Sequence, residues 1–248
     1  MSHIVTEQTD AVLTVRFARP EKKNALTRAM YEAICEAFQK AQGDSSVRVM
    51  LITGTPGVFT GGNDLMDFLG DPPTGENSPV FRFLRWLVTF EKPLVASVDG
   101  PAIGIGTTML MHCDAAIVTP RAHLQMPFTK LGLVPEAASS VLLPMIVGAV
   151  RARHWLLSGC AISGEEAYRA GLASHIAAPE ELEARTAQVV QELASRPPEA
   201  MRASKMLLRE PMNDMVLSAL VREAGIFTER LVSQEAIAAM SSFFERKK

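Results

Sequence analysis

Cysteine is scarce: the 248-residue chain has three, Cys35, Cys113 and Cys160, far apart and without C-x-x-C or Cys/His ligand spacing. An odd, scattered set excludes a disulfide framework, and the thiols are expected to be buried in a reducing compartment. The five histidines share no ligand spacing either, so no metal is expected. Aromatics make up only 6%, and Lys plus Arg (25) nearly cancel Asp plus Glu (27), for a formal net charge of −2. With these charges scattered, no field exists to hold a nucleic acid backbone or an anionic membrane surface. The most apolar stretches, 103–111 and 141–150, reach about half of the roughly 20 residues a membrane crossing needs. The start, MSHIVTEQTD, lacks the basic and then apolar blocks of a secretory signal, which predicts a cytoplasmic protein.

What is present is an ordinary globular composition, 48% hydrophobic and 21% charged, long enough for one large core or a main domain with a small appendage. Two apolar runs between Ile4 and Phe17, parted by Asp10, predict a hairpin. From Leu26, apolar positions through Ala41 recur at helical spacing, with Thr27 to cap the start and Gly43 to end it. Val47 to Thr53 and Leu94 to Val98 read as buried strands. Between them lie a glycine-rich loop, a Pro/Gly/Asp linker from Gly70 to Pro79 and an amphipathic helix around Phe81 to Phe90. Next come a helix from about Gly104, strands at Ala115 to Thr119 and His123 to Met126, and helices from Ala137 onward. This alternation predicts a layered α/β core. From Ser163, with its Ser163-x-x-Glu166 capping box, the chain is mostly helical: Pro179 to Ser195, Pro198 to Arg209 and Met212 to Phe244. We place the core at residues 1–195 and a helical C-terminal region at 196–248.

Several familiar chemistries find no support. Gly104-Ile105-Gly106 opens an apolar helix after a strand, but Met109 occupies the third glycine of a dinucleotide fingerprint. No G-x-x-x-x-G-K-[ST], G-x-S-x-G or H-E-x-x-H occurs.

Two segments share one design. In Gly61-Gly62-Asn63-Asp64-Leu65 and Gly100-Pro101-Ala102-Ile103-Gly104-Ile105-Gly106 a strand ends, small residues remove steric cover and a helix begins. First-turn amides lack internal acceptors, so two such turns converging form a cradle for a developing oxyanion. Each loop by itself also fits tight turns and close helix packing.

Arg19-Pro20-x-x-x-Asn24-Ala25-Leu26, then Phe59-x-x-Gly62-Asn63-Asp64-Leu65, then Asp99-Gly100-Pro101-Ala102-x-Gly104-x-Gly106, in this order and spacing, resembles the crotonase (enoyl-CoA hydratase/isomerase) superfamily over nearly the whole chain. The resemblance implies an α/β fold of repeated ββα units in a spiral core, with the helical C-terminal region making the contacts of a homotrimer or hexamer. It implies acyl-CoA thioester substrates, coenzyme A being part of the substrate rather than a tightly bound cofactor. It also implies that backbone N–H groups of Asn63 and Ile105 hold the thioester oxygen. Coenzyme A would lie along Lys22, Asn24, Ala25, Leu26 and along Gly61, Gly62, Asp64, Leu65, with Gly104, Gly106, Pro127 and Phe128 also at the site.

The reaction turns on carboxylates. Hydratases of the family place glutamates where this chain has Thr108 and Phe128, and neither titrates near neutrality, so efficient hydration is disfavoured. Shifting a double bond needs one base, which removes a proton from C2 and returns it to C4. Glu136 is the candidate, at the start of a helix that continues VLLPMIV. As a residue type it equally fits a first-turn acid, worth roughly 0.3 to 1 kcal/mol. The segment from Met126 to Glu136 resembles the peroxisomal-type Δ3,Δ2-enoyl-CoA isomerases, whose base holds that position. Its pKa cannot be signed from sequence, since desolvation raises it and a helix N-terminus lowers it. Two other readings remain: a hydratase or another crotonase-type reaction, such as thioester hydrolysis, with atypical acid/base residues, and a non-catalytic acyl-CoA binding protein. Asp64 reads as a helix cap, and Arg19, Lys22, Lys23 and Arg246-Lys247-Lys248 as solvated charges or phosphate contacts. Leu65, Met66, Phe68, Leu69, Phe81, Leu84 and Trp86 are candidates for an acyl tunnel, or for plain core.

Overall fold

The opening hairpin is β1 (Ile4–Thr9) antiparallel to β2 (Val12–Phe17), turning at Asp10 with φ 49°. We describe it, and all that follows, from a computed structural model covering residues 3–70, 75 and 77–245. Residues 71–74 and 76 of the Gly70 to Pro79 linker and the Arg246-Lys247-Lys248 tail lie outside the described residues. Thr27 caps α1 (Arg28–Gly43) by accepting the Met30 N–H, as expected, and α1 leads to β3 (Val49–Thr53). Then come α2 (Leu65–Gly70), α3 (Pro79–Thr89), β4 (Leu94–Val98), β5 (Pro101–Ile103) and α4 (Ile105–Thr108). A single 3-10 turn at Met109–His112 precedes β6 (Ala115–Val118) and β7 (His123–Gln125). The remainder comprises α5 (Ser139–Val147), α6 (Ala149–Ser158), β8 (Ala161–Ser163), α7 (Gly164–Arg169), β9 (His175–Ile176), α8 (Leu182–Ala194), α9 (Pro198–Arg209), α10 (Asn213–Leu231) and α11 (Gln234–Glu245).

Six strands form the main sheet in the order β1-β2-β3-β4-β6-β9, parallel apart from the opening hairpin. Every residue of β4 is buried, because helices cover both faces of a central parallel strand. The period of two sorts its neighbours. Met50, Ile52, Leu94 and Ala96 join the large core that includes α1 and α3, whereas Val49, Val95 and Ile117 pack with Val189 and Val190 of α8. A smaller sheet, β5-β7-β8, lies beside it, and isolated parallel bridges Thr60↔Ala102 and Leu26↔Asn63 extend that layer. Strand, second strand and helix thus repeat, as expected, and each repeat sends its second strand toward the same layer.

Four local expectations need correction. β5, β8 and β9 are too short, at two or three residues, to leave a periodic signature. The segment from Met212 is two helices, broken at Val232-Ser233. Of the thiols, all free, only Cys35 is buried and the others are half-buried. Glu136 is not in a helical first turn: Ala137 and Ala138 are both left-handed (φ 58° and 56°), and α5 starts only at Ser139. Two such residues in succession cannot propagate a right-handed helix. Among the described residues no helix is long and apolar enough to cross a membrane.

Candidate active site

The segment 19–26 and the glycine-rich loop are tied together by a buried amide. Asn24, itself left-handed at φ 53°, accepts the Arg19 N–H (2.8 Å) and donates to Val58 O (2.9 Å) and Thr55 Oγ1 (3.0 Å). Gly61 N–H donates to Lys23 O, Leu26 N–H to Gly62 O, and Asp64 N–H to Leu26 O. Gly62 N–H is taken by Thr60 Oγ1 at 3.1 Å. That leaves Asn63, whose N–H has no acceptor among the described residues. In the second loop Ile103 N–H goes to Thr60 O and Gly104 N–H to Gln125 O, and the N–H of Ile105 likewise has no acceptor among the described residues.

The two loops lie flush because two glycines permit it. A Cβ on Gly62, whose φ is +89°, would sit 2.8 Å from Ile103 O, and one on Gly106 would meet Thr60 Cγ2 at 2.5 Å. Tyr31 of α1, fully buried, donates its hydroxyl to Asn63 Oδ1 and so fixes that side chain from behind. Burial, and then the nearby Glu136, push the Tyr31 phenol well above its ordinary pKa, keeping it a donor.

Glu136 is 7% exposed and accepts a hydrogen bond from Thr108 Oγ1 at 2.5 Å. Burial pushes its carboxyl up to about 8, opposed by the Thr108 bond and reinforced by Glu223. It lines a cavity of about 340 Å³ shared with Asn63, between Phe81 and Leu84 of α3 and Leu220, Ala224 and Phe227 of α10. Among the described residues it is the only carboxylate lining that cavity. Of the tunnel candidates, Phe68, Phe81 and Leu84 line it. Met66 and Leu69 are exposed, and Trp86 stacks on Phe38.

The other predicted residues are spread around this centre. Asp64 caps α2 through the Met66 and Asp67 amides and pairs with Arg19 at 2.7 Å, so Arg19 is not a free phosphate ligand. Lys22 is exposed, while Ala25 and Leu65 are half-buried. Phe128 is buried in the core, and neither it nor Pro127 lines the cavity. Sequence reading missed the α10 wall and Glu223. Both stand more than 80 residues from Glu136 in the chain, beyond any local pattern.

Comparison with known proteins places this geometry. A family model described as enoyl-CoA hydratase/isomerase matches residues 7–248. The solved structure of Pseudomonas aeruginosa OdaA is 43% identical, covers 98% of this chain and 99% of its own, and superposes with a TM-score of 0.95. Enoyl-CoA delta isomerase 2 of Rattus norvegicus is 33% identical over 98% of the chain, which spans 64% of that relative's length. 4-Chlorobenzoyl coenzyme A dehalogenase-2 of an Arthrobacter species is 32% identical over 89% of the chain and 83% of its own length. Relatives named for different reactions share this scaffold, so kinship alone does not assign the chemistry. With the motif order, the repeated strand-strand-helix layers and the family match all in agreement, the chain belongs to the enoyl-CoA hydratase/isomerase family, with the crotonase-like fold its sequence resembles.

Proposed function

We propose that the protein is an acyl-CoA enzyme that moves a double bond from C3 to C2 of an enoyl-CoA thioester. The observation that carries this reading is a single buried carboxylate, Glu136, lining the apolar cavity that also borders Asn63. Hydration requires one group to deprotonate water and another to protonate carbon, whereas isomerisation needs one base that takes a proton and gives it back. Burial prepares Glu136 for this: a carboxyl held near 8 is a far stronger base than one at the usual 4.5.

In this scheme the thioester oxygen sits on the N–H groups of Asn63 and Ile105. Glu136 removes a C2 proton, the resulting dienolate is stabilised at its oxygen, and Glu136 returns the proton to C4. Each amide contributes about 3 kcal/mol to lowering the barrier. Coenzyme A lies along Lys22, Asn24, Ala25, Leu26 and along Gly61, Gly62, Asp64, Leu65, with Gly104 and Gly106 shaping the second loop. Asn24 acts by holding the loop, since its side chain is fully buried. The active species is a homotrimer or hexamer.

The deciding experiment follows a trans-3-enoyl-CoA and a trans-2-enoyl-CoA side by side by absorbance. Growth of the conjugated product from the first, without loss of the second by hydration, is expected; the reverse pattern overturns the proposal. A base works only when unprotonated, so kcat/KM is expected to rise with pH through about 8 and then level. A flat profile between pH 6 and 9 excludes Glu136 as the base.

The acyl tail is assigned to the space between α3 and α10. Leu220, Ala224 and Phe227 fall on one stripe of α10, at helical spacings of four and three, with the small Ala224 between two large neighbours. Ala224→Leu is expected to lower kcat/KM for long acyl chains by about tenfold or more while sparing the shortest. Leucine keeps high helix propensity, so Tm should hold. Equal losses at every chain length would place the tail elsewhere.

A further inference from the structure

We propose that Glu223, on α10, is a positioning residue for Glu136: its carboxylate anchors the left-handed Ala137–Ala138 turn and so fixes where the Glu136 side chain enters the cavity. The inference rests on the reading of Glu136 as the base.

The start of α5 lacks a cap of its own. Ala138, at the N-cap position, has no side chain able to accept a hydrogen bond, so the first amides of the helix need an outside partner. Glu223 supplies it. Its Oε1 accepts the Ser140 N–H at 2.9 Å, and the nearby Ser140 hydroxyl and Ala138 amide favour its charged form against the burial that raises its pKa. From the other side, His112 meets Ala137 O at 2.8 Å. Burial holds the His112 imidazole down near 4, so it is neutral and donates Nε2–H to that carbonyl. Two strained residues are thus clamped from α10 and from the turn before β6, directly after Glu136. Left-handed alanines cost on the order of 1–3 kcal/mol each and persist only where surroundings hold them.

Glu223 does not line the cavity and is 6% exposed. Its Oε2 is buried with no partner. That is an expensive way to cap a helix. Among the described residues, Thr108 from α4 donates to Glu136, and Tyr31 from α1 and Glu223 from α10 are electrostatically coupled to it. Glu223 is the acid among them and makes Glu136 hold its proton more tightly.

The test compares Glu223→Gln, which keeps an acceptor oxygen in place, with Glu223→Ala, which removes it. Glu223→Ala is expected to lower kcat by about tenfold or more with KM changed far less, because a displaced base still lets substrate bind. Glu223→Gln is expected to restore most of kcat, with the pH profile moved to lower pH. Should Glu223→Ala fail to fold, Glu223→Asp draws the acceptor back by one methylene, and its kcat is expected to fall below that of Glu223→Gln. A carboxyl 13C titration gives a readout besides turnover: the Glu136 signal, assigned by its loss in Glu136→Gln, should titrate lower in each neutral variant. Wild-type kcat in folded Glu223→Ala, Gln no better than Ala, or an unmoved Glu136 titration each overturns the proposal. If Glu136→Gln proves fully active but the Glu136 titration differs between Glu223→Ala and Glu223→Gln, the anchoring stands and the reading of Glu136 as the base is what fails.

Discussion

Glu136→Gln is expected to abolish most isomerisation, lowering kcat by about a hundredfold to ten-thousandfold while acyl-CoA still binds. Glutamine has the shape of glutamate, and its carbonyl oxygen can keep the Thr108 hydrogen bond seen at 2.5 Å. What it loses is the ability to take a proton. The same variant carries an internal control for folding. In the folded state the Glu136 carboxyl holds its proton up to about 8, against an ordinary 4.5. The folded protein therefore binds more protons than the unfolded chain between those values, and the stability linked to this residue, intact below 4.5, is lost as pH rises through 8. A neutral amide avoids that loss. Tm of Glu136→Gln should match the wild type at pH 4.5 and exceed it increasingly toward pH 9, read by circular dichroism. Turnover near that of the wild type would remove Glu136 from the chemistry.

The second large effect concerns donors that no side-chain deletion can remove. Gly62→Ala would place a methyl 2.8 Å from the backbone oxygen of Ile103, on a residue whose φ is +89°. Backbone cannot yield as the tip of a flexible side chain does, so the loops must part, and the Asn63 amide moves with them. Misplacing one oxyanion donor is expected to cost about 10² to 10³ in kcat. Gly43→Ala is the matching control, because its methyl would meet nothing within 4 Å. If folded Gly62→Ala retains full kcat on a trans-3-enoyl-CoA, oxyanion binding by these loops is the wrong account.

Much of the frame was legible because it is local. Thr27 caps α1 and Ser163 caps α7, each by accepting an amide three residues on. The buried strands at Val49–Thr53 and Leu94–Val98 announce themselves as apolar runs. The two glycine-rich loops could be placed from spacing alone. Their contact could not, since it depends on the Thr60↔Ala102 and Leu26↔Asn63 bridges between segments distant in the chain. The start of α5 was misread for a related reason. Nothing in Pro135-Glu136-Ala137-Ala138 signals left-handed backbone, because alanine ordinarily favours the right-handed helix. The contacts around that turn, His112 to Ala137 O and Glu223 to the Ser140 amide, come from elsewhere in the chain.

Residue identity and order by themselves settled the family, the repeating layers, and the fact that Glu136 is the acid in a segment where Thr108 and Phe128 cannot titrate. Packing alone decided how strong a base that acid is, because a pKa depends on the water excluded and the charges within reach. Beyond burial, the groups that set it, Thr108 of α4 and Glu223 of α10, are far from it in the chain, so the basicity of Glu136 exists only once the chain has closed around it.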